Sequence, residues 1–551
     1  MLYVSIFVEL LRSRPALAVS IAALVQGALW FIVPSFFYWA PPTDVATAVT
    51  VGHEFRLGTY LGPPLAFWIA DAAFILAGRS MIGPYLLSQV CVIATYWSVF
   101  ALGRSIVGAH HAAIAVLLMI GISAFAVSTP DFGPVVLTMA LWSLILLHFW
   151  RAVGEGRRGY WVALAVEIGL LLLSTYAGLL LVALLLVFTL LNKRARATLG
   201  SSDPWFAGIV ALIVMFPHLL WLIETGDGVV AALSHLRTPE SVTGNFSAWI
   251  KQMAVIVAAH TGLIVMVGLV VGWPWTKREP SPIIVRPPVD PFGRQFVYFF
   301  AIVPALVATF AAVLLGWPAP AGGVAPLVIF TGLAVVVAAG DRIEFAHQNV
   351  VISAWFGLLL VPPAMAVVAL IALPWVGVEM AINQPADQMA QFFAENYQRR
   401  TGTPLRIVAG DPHTATLVAI GAPSRPSVLL NAAPERSPWA TIADAKAKGA
   451  IVVWPTNDTS GTPPPEIRER FPDLVPEVPR AFERPSQGRL PLLRIGWAVI
   501  RPQPQDAAPP VLAPAIPATP APTAPAPPAA APPAAAPQAP ASPPPVLIPI
   551  R

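Results

Sequence analysis

The chain has 551 residues, 56% of them hydrophobic and only 11% charged, with a mean hydropathy of +0.70. These values exclude a soluble enzyme, and in so apolar a chain the net charge of +5 reads as a topology signal, not as a nucleic-acid-binding surface. The one cysteine, Cys91, excludes an intramolecular disulfide.

In chain order, apolar stretches long enough to cross a bilayer are expected at 15–37, 84–103, 109–128, 131–150, 160–174, 176–191, 205–223, 251–272, 296–316, 323–340 and 350–375, about 11 spans in all. The first is long for a signal peptide and lacks a small-x-small cleavage site, so it reads as a retained span. The stretch 61–78 either spans or lies at the interface. If it lies flat, one side of the membrane collects Arg12, Arg14, Arg104, Arg151, Arg157, Arg158, Lys193, Arg194, Arg196, Lys277, Arg278, Arg286, Arg294 and Arg342. The other side collects only Arg56, Arg79, Arg237 and Lys251 before the last span. The positive-inside rule then puts the N-terminus in the cytoplasm and everything after residue 376 in the periplasm of a bacterial inner membrane.

Beyond Trp375 the pattern changes. Met389, Phe392, Phe393 and Tyr397 share one helix face, and 405–409, 427–430 and 450–454 read as strands separated by helices. A small periplasmic α/β domain is expected over 379–502, after a membrane domain over 1–378. Residues 503–551 are nearly all Pro and Ala, cannot bury a core, and are expected to be a disordered tail with polyproline II character.

The polar residues gather at the outward rim of the bundle: Asp44, His53, Glu54, Arg56, Tyr60, Asp131, Tyr176, Glu224 and Asp227. A carboxylate at such a rim is costly unless solvated or functional, and it can take a proton from an attacking hydroxyl. Arg56 can hold a phosphate. Each has a plainer reading too: Asp44 and Asp131 suit helix N-termini, and His53, Glu54 and Arg56 suit a solvated helix face. Glu167 lies mid-span as a packing anchor or a functional group. His148, His218 and His260 lack metal-ligand spacing and read as structural hydrogen-bonding groups. Asp411 with His413 reads as a turn, and Asn245-Phe246-Ser247 as a weak glycosylation sequon.

The order of span, outward Asp44, amphipathic segment, Pro63-Pro64-Leu65-Ala66-Phe67-Trp68, two spans and a second aspartate, Asp131, resembles the family-39/83 glycosyltransferases that use lipid-linked sugars. These include protein O-mannosyltransferases and bacterial lipid A aminoarabinose and galacturonic acid transferases. Gly103-Arg104-Ser105-Ile106-Val107-Gly108, Leu172-Leu173-Ser174-Thr175-Tyr176 and Phe216-Pro217-His218-Leu219-Leu220-Trp221 are similar to further motifs of that family. The likeness covers about the first 230 residues. It departs at Val45 where the family has Glu, and at Gly62 and Thr175, where a lysine (or, at the first, a glutamine) is usual.

The resemblance implies a GT-C bundle with interfacial helices and a periplasmic active site, transferring a sugar from a polyprenyl-phosphate donor with inversion. Asp44 would be the general base and Asp131 its partner at the acceptor, with His53, Glu54, Arg56, Tyr60, Tyr176 and Glu224 contacting substrate. The implied partners are the donor, a lipid or protein acceptor and membrane lipids, with no nucleic acid. No cofactor or metal is identified by the sequence, a divalent cation being one option. Two other readings are a non-catalytic envelope scaffold and a transporter of lipid-linked sugars. The second lacks the inverted repeats such carriers often show.

Overall fold

The computed structural model describes residues 2–127, 129–226, 246–271, 283–286, 288–317, 319–320, 322–344, 348–433, 436–486 and 488–503. Asp227, Arg237, Lys277, Arg278, Asn245 and the tail from 504 onward lie outside the described residues.

Over their described residues all eleven apolar stretches form helices, but these differ in length. Six are single helices long and apolar enough to cross a bilayer: Pro15–Phe37, Ile82–Val107, Pro134–Gly154, Asp203–Thr225, Pro291–Leu315 and Gln348–Val376. Two more are bent pairs, Gly178–Leu191 with Lys193–Gly200 at 95° and Phe246–Ala259 with Thr261–Val271 at 56°. The remaining three, Ala109–Met119, Tyr160–Leu172 and Ala325–Ala338, are shorter. At ~1.5 Å per residue they fall short of the ~30 Å hydrocarbon core, so hydropathy alone overstates their reach. The same arithmetic applies to 61–78, which folds as the short helix Leu65–Leu76.

The elements that matter below are α1 (Leu2–Ser13), α2 (Pro15–Phe37), α3 (Thr43–His53), α4 (Leu65–Leu76), α5 (Ile82–Val107), α6 (Ala109–Met119), α7 (Pro134–Phe149), α8 (Tyr160–Leu172), α9 (Gly178–Leu191), α10 (Lys193–Ala197) and α11 (Asp203–Thr225). Local chemistry sets their ends. Pro15 and Pro134 start α2 and α7, where a missing N–H costs nothing. The Asn192 side chain accepts from the N–H groups of Arg194 and Ala195 and so caps α10 at the 95° bend. Gly108, at φ +81°, allows the reversal between α5 and α6. The bundle core is apolar and aromatic, with Phe149, Phe188, Phe296, Phe300 and Phe330 packed together. Within it His148 and Glu167 meet at 2.7 Å, which makes Glu167 a hydrogen-bonded anchor.

After the bundle the chain builds a five-stranded sheet. Its strands are β3 (Ile407–Gly410), β4 (Ser427–Leu430), β5 (Ala450–Pro455), β6 (Arg480–Phe482) and β7 (Leu493–Ile500), in the order β4-β3-β5-β7-β6. A separate antiparallel pair, β1 (Ile283–Val285) and β2 (Arg342–Glu344), belongs to the bundle loops. β3 runs parallel to β4 and β5, whereas β7 is antiparallel to both β5 and β6. The expected strands at 405–409, 427–430 and 450–454 are the parallel arm. The antiparallel arm is an addition to the sequence reading.

Alternation along the strands divides the core in two. Val408, Val428, Ile451, Val453 and Ile495 pack with Met389, Phe393 and Tyr397 on one side. Ile407, Ala409, Leu429, Val452 and Trp454 pack with Ile467 and Phe471 on the other. The helix Ala386–Thr401 supplies the first set, as its apolar spacing predicts. The helix Pro412–Gly421 lies between this sheet and the bundle, where it packs on α3.

Candidate active site

Pro42 ends the extended segment after α2, and α3 begins at Thr43. Asp44 therefore stands in the first turn of α3, exposed and without a side-chain hydrogen bond among the described residues. It does not act as a helix cap. A carboxylate there is still favoured by the helix dipole.

Asp131 lies in the turn that leads to α7. The Thr129 carbonyl accepts from Ser88 Oγ and, at 3.1 Å, from Gln89 Nε2, so two side chains of α5 pin this turn. The two aspartates line one cavity of about 510 Å³, shared with Thr47, Thr129, Leu61, Phe67, Val135, Met139 and the segment Gly323, Val324 and Ala325. None of the described residues lining it is basic. Burial, helped by the nearby charge of Asp44, pushes the Asp131 carboxyl up to about 6. Burial and then the Asp131 charge push the Tyr38 phenol up to about 12. Thus Asp131 keeps company with Asp44 on one side and Tyr38 on the other.

The other rim residues are placed elsewhere. His53 at the end of α3, and Glu54, Arg56 and Tyr60 after it, are not among the residues lining the cavity. Burial pushes Glu54 up, offset in part by a hydrogen bond from Ser427 and by Arg56. Partial burial and the Arg425 charge hold His53 down. Tyr60 packs against the sheet core, and Arg56 is exposed. Glu224 is exposed near the end of α11.

Tyr176 enters a hydrogen-bond chain. His218 Nδ1 lies 2.9 Å from the Leu57 carbonyl, which can only accept, so that nitrogen carries the proton. Nε2 is then an acceptor in the neutral ring, and the Tyr176 hydroxyl donates to it at 2.9 Å. The chain ties the loop after α3 to α11, which gives His218 the structural role its sequence context implies.

Three residues outside the sequence-derived set hold the sheet against α3 and α4. Thr43 Oγ1 meets His413 Nδ1 at 2.9 Å. Arg425 Nη2 meets Asp71 Oδ1 at 2.6 Å. Asp411 caps the helix Pro412–Gly421 by accepting from the Thr414 N–H, which is the turn role read from sequence. Among the described residues no three His, Cys, Asp or Glu side chains are grouped to hold a metal ion.

Superposed on ArnT from Cupriavidus metallidurans bound to undecaprenyl phosphate, the chain gives a TM-score of 0.55 at 13% identity, covering 88% of this chain and 99% of that one. The chain has the GT-C glycosyltransferase fold. Residues 62–221 of this GT-C chain match the family described as dolichyl-phosphate-mannose-protein mannosyltransferase, a stretch that includes Asp131 and begins after Asp44. The lipopolysaccharide core galacturonosyltransferase RgtB of Rhizobium johnstonii is 25% identical over 202 residues, which are 36% of this chain. That match spans 40% of the length of RgtB. The multi-pass GT-C bundle that the motifs imply is thus the fold the chain has.

Proposed function

We propose that the chain is a glycosyltransferase that moves a sugar from a polyprenyl-phosphate donor to a hydroxyl of an envelope acceptor, with inversion at the anomeric carbon. The observation that carries this reading is the meeting of Asp44 and Asp131 at one cavity in a bundle of the GT-C fold. The undecaprenyl phosphate bound to the similar ArnT supports the donor class, and the likeness to RgtB supports a lipopolysaccharide or related glycolipid acceptor.

In the proposed step Asp44 takes the proton of the acceptor hydroxyl, whose oxygen attacks the anomeric carbon. The bond from that carbon to the phosphate oxygen breaks, and its electron pair leaves on the polyprenyl phosphate. Asp131 orients the acceptor from the opposite wall. Asp44 is the exposed carboxylate of the two and so the more open to an incoming acceptor hydroxyl, whereas Asp131 is half-buried. Of the rim residues proposed as substrate contacts, Arg56 is an exposed cation outside the cavity lining, so it meets the phosphate only where the donor headgroup reaches beyond the cavity toward the sheet. His53, Glu54, Tyr60, Tyr176 and Glu224 complete that proposed set.

The basic-residue asymmetry supports an inner-membrane protein with a cytoplasmic N-terminus, a bundle over 1–378 and a periplasmic α/β part over 379–502. One observation favours a second reading, a non-catalytic relative: no basic residue is among the described residues lining the cavity.

Mass spectrometry of envelope lipids and glycans in wild type, a deletion strain, and the deletion complemented with Asp44→Asn separates the two. A sugar lost on deletion and not restored by Asp44→Asn identifies the acceptor and supports the base. Full restoration by that variant removes Asp44 from catalysis and points to a scaffold, a transporter or a differently placed base.

A further inference from the structure

A second cavity of about 310 Å³ sits where the bundle meets the helices Ala386–Thr401 and Pro412–Gly421. Its walls carry Ser35, Tyr38, Trp39, Arg79, Tyr85 and Asp387. The volume is at the small end of the ~300–1,000 Å³ range of ligand sites, enough for one or two sugar rings.

Three features distinguish it from the cavity that holds the aspartates. First, it has a buried hydroxyl with nothing to bond among the described residues, that of Ser35. Buried polar groups are ordinarily satisfied, so this donor calls for a hydroxyl or water from outside the chain. The Tyr85 side chain, only 3% exposed, lines the same cavity. Second, Trp39 is 59% exposed at the cavity, a flat apolar face beside polar groups of both signs, Arg79 and Asp387. Third, Tyr38 and Tyr85 stack edge-to-face at 6.3 Å, and the Asp131 charge acts on both. The tyrosine pair lines this cavity within reach of the charge of Asp131, which lines the other one.

We propose that this second cavity binds the saccharide portion of the acceptor, with Trp39 as stacking platform and Tyr85 and Ser35 as partners for sugar hydroxyls. The inference rests on the glycosyltransferase reading and names the acceptor class for it. A lipid-linked donor suits the first cavity, whose walls are mainly apolar. A peptide acceptor is disfavoured because the second cavity is walled by helices and turns, so it offers no strand edge for an extended chain to pair with.

The test is a binding measurement that needs no turnover. In the full-length protein with Cys91→Ala, Ile82→Cys places a thiol at a lining position that is 47% exposed. Its reaction with a fluorescent maleimide is timed with the methyl glycosides of glucose, galactose, mannose, glucosamine and galacturonic acid, or with a Ser/Thr-rich peptide. At twice the dissociation constant a bound saccharide slows labelling about threefold by mass action. That protection is expected from at least one glycoside, and is expected to vanish in Trp39→Ala and in Tyr85→Phe proteins whose melting temperatures match the parent. Asp44→Asn is expected to retain it, so loss of catalysis and loss of acceptor binding are read separately. No protection by any glycoside, protection that persists in both variants, or protection by the peptide alone overturns the proposal.

Discussion

Arg425 and Asp71, 354 residues apart in sequence, meet at 2.6 Å with side chains only 8% and 11% exposed. The guanidinium also lies 5.0 Å from the centre of the Phe74 ring. This pair fastens the turn before β4 to α4, and so fixes the sheet against the helices that carry the candidate site.

Breaking this pair is expected to cost more than removing it. Asp71→Ala leaves a buried guanidinium without its counter-ion, a loss of about 3–5 kcal/mol. Asp71→Leu with Arg425→Met removes both charges and is expected to recover most of it. Thermal unfolding of the detergent-solubilised protein measures both. A double variant no better than the single one would show that the ion pair is not the fastening.

Asp131 gives stability a pH dependence. Its carboxyl is pushed up to about 6, so between the ordinary carboxylate value and 6 the folded state holds more protons than the unfolded one. The corresponding stability is present at low pH and lost as pH rises through about 6. Asp131→Asn should therefore match wild type near pH 4 and exceed it at pH 8 by on the order of 1–3 kcal/mol. Asp44→Asn, which removes the like charge, should shrink the difference. A gain for Asp131→Asn that is the same at both pH values argues against a perturbed carboxyl.

Much of this site was readable from residue types, because a carboxylate at the rim of a bundle with 11% charged residues stands out by its cost. Asp44 and Asp131 were visible in that way, and the parallel strands were visible as short apolar runs. The contacts that fasten the sheet were not. Thr43 and His413 are 370 residues apart, and neither residue alone differs from a helix-start threonine or a turn histidine. β6 and β7 escaped for another reason. β6 is three residues long and β7 interrupts its apolar run with Arg494, so their strand character comes from pairing with β5 more than from pattern. Hydropathy registered the spans but not their bends.

Gly52 makes the contact between α3 and α4 possible. A Cβ there would overlap the Phe67 carbonyl, which lies on the backbone and cannot swing aside. Gly52→Ala is expected to push α3 off α4, displace Asp44 and lower stability by about 1–3 kcal/mol. Gly208→Ala, where a Cβ meets nothing within 4 Å, is the matched control and should be neutral or better. Retained sugar transfer by Gly52→Ala would mean that the position of α3 is not critical.

His218 is fully buried between Tyr176 and the Leu57 carbonyl, with its ring stacked on Trp221 at 5.4 Å. His218→Ala strands both partners and leaves a void, a loss of about 2–4 kcal/mol. Tyr176→Phe removes one donor and leaves the Leu57 bond intact, so about 1 kcal/mol is expected. Equal losses on unfolding would indicate that the two hydrogen bonds do not form one chain.

His413 is expected to act on catalysis through Asp44 without touching substrate. Burial holds its pKa below the usual value, so the ring is neutral at pH 7, and its Nδ1 is bonded to the hydroxyl of Thr43, the residue before Asp44. Loss of that bond frees the first turn of α3, where a small rotation moves the carboxylate out of reach of an acceptor hydroxyl. His413→Ala should therefore lower kcat about 10-fold or more and leave KM nearly unchanged, because the acceptor contacts are untouched. His413→Asn, whose amide can still bond Thr43, should restore much of the rate. Thr43→Val should reproduce the loss, and His413→Ala made on that background should add little, since both changes break the same bond. A rise in KM without a fall in kcat would instead place His413 at the acceptor itself.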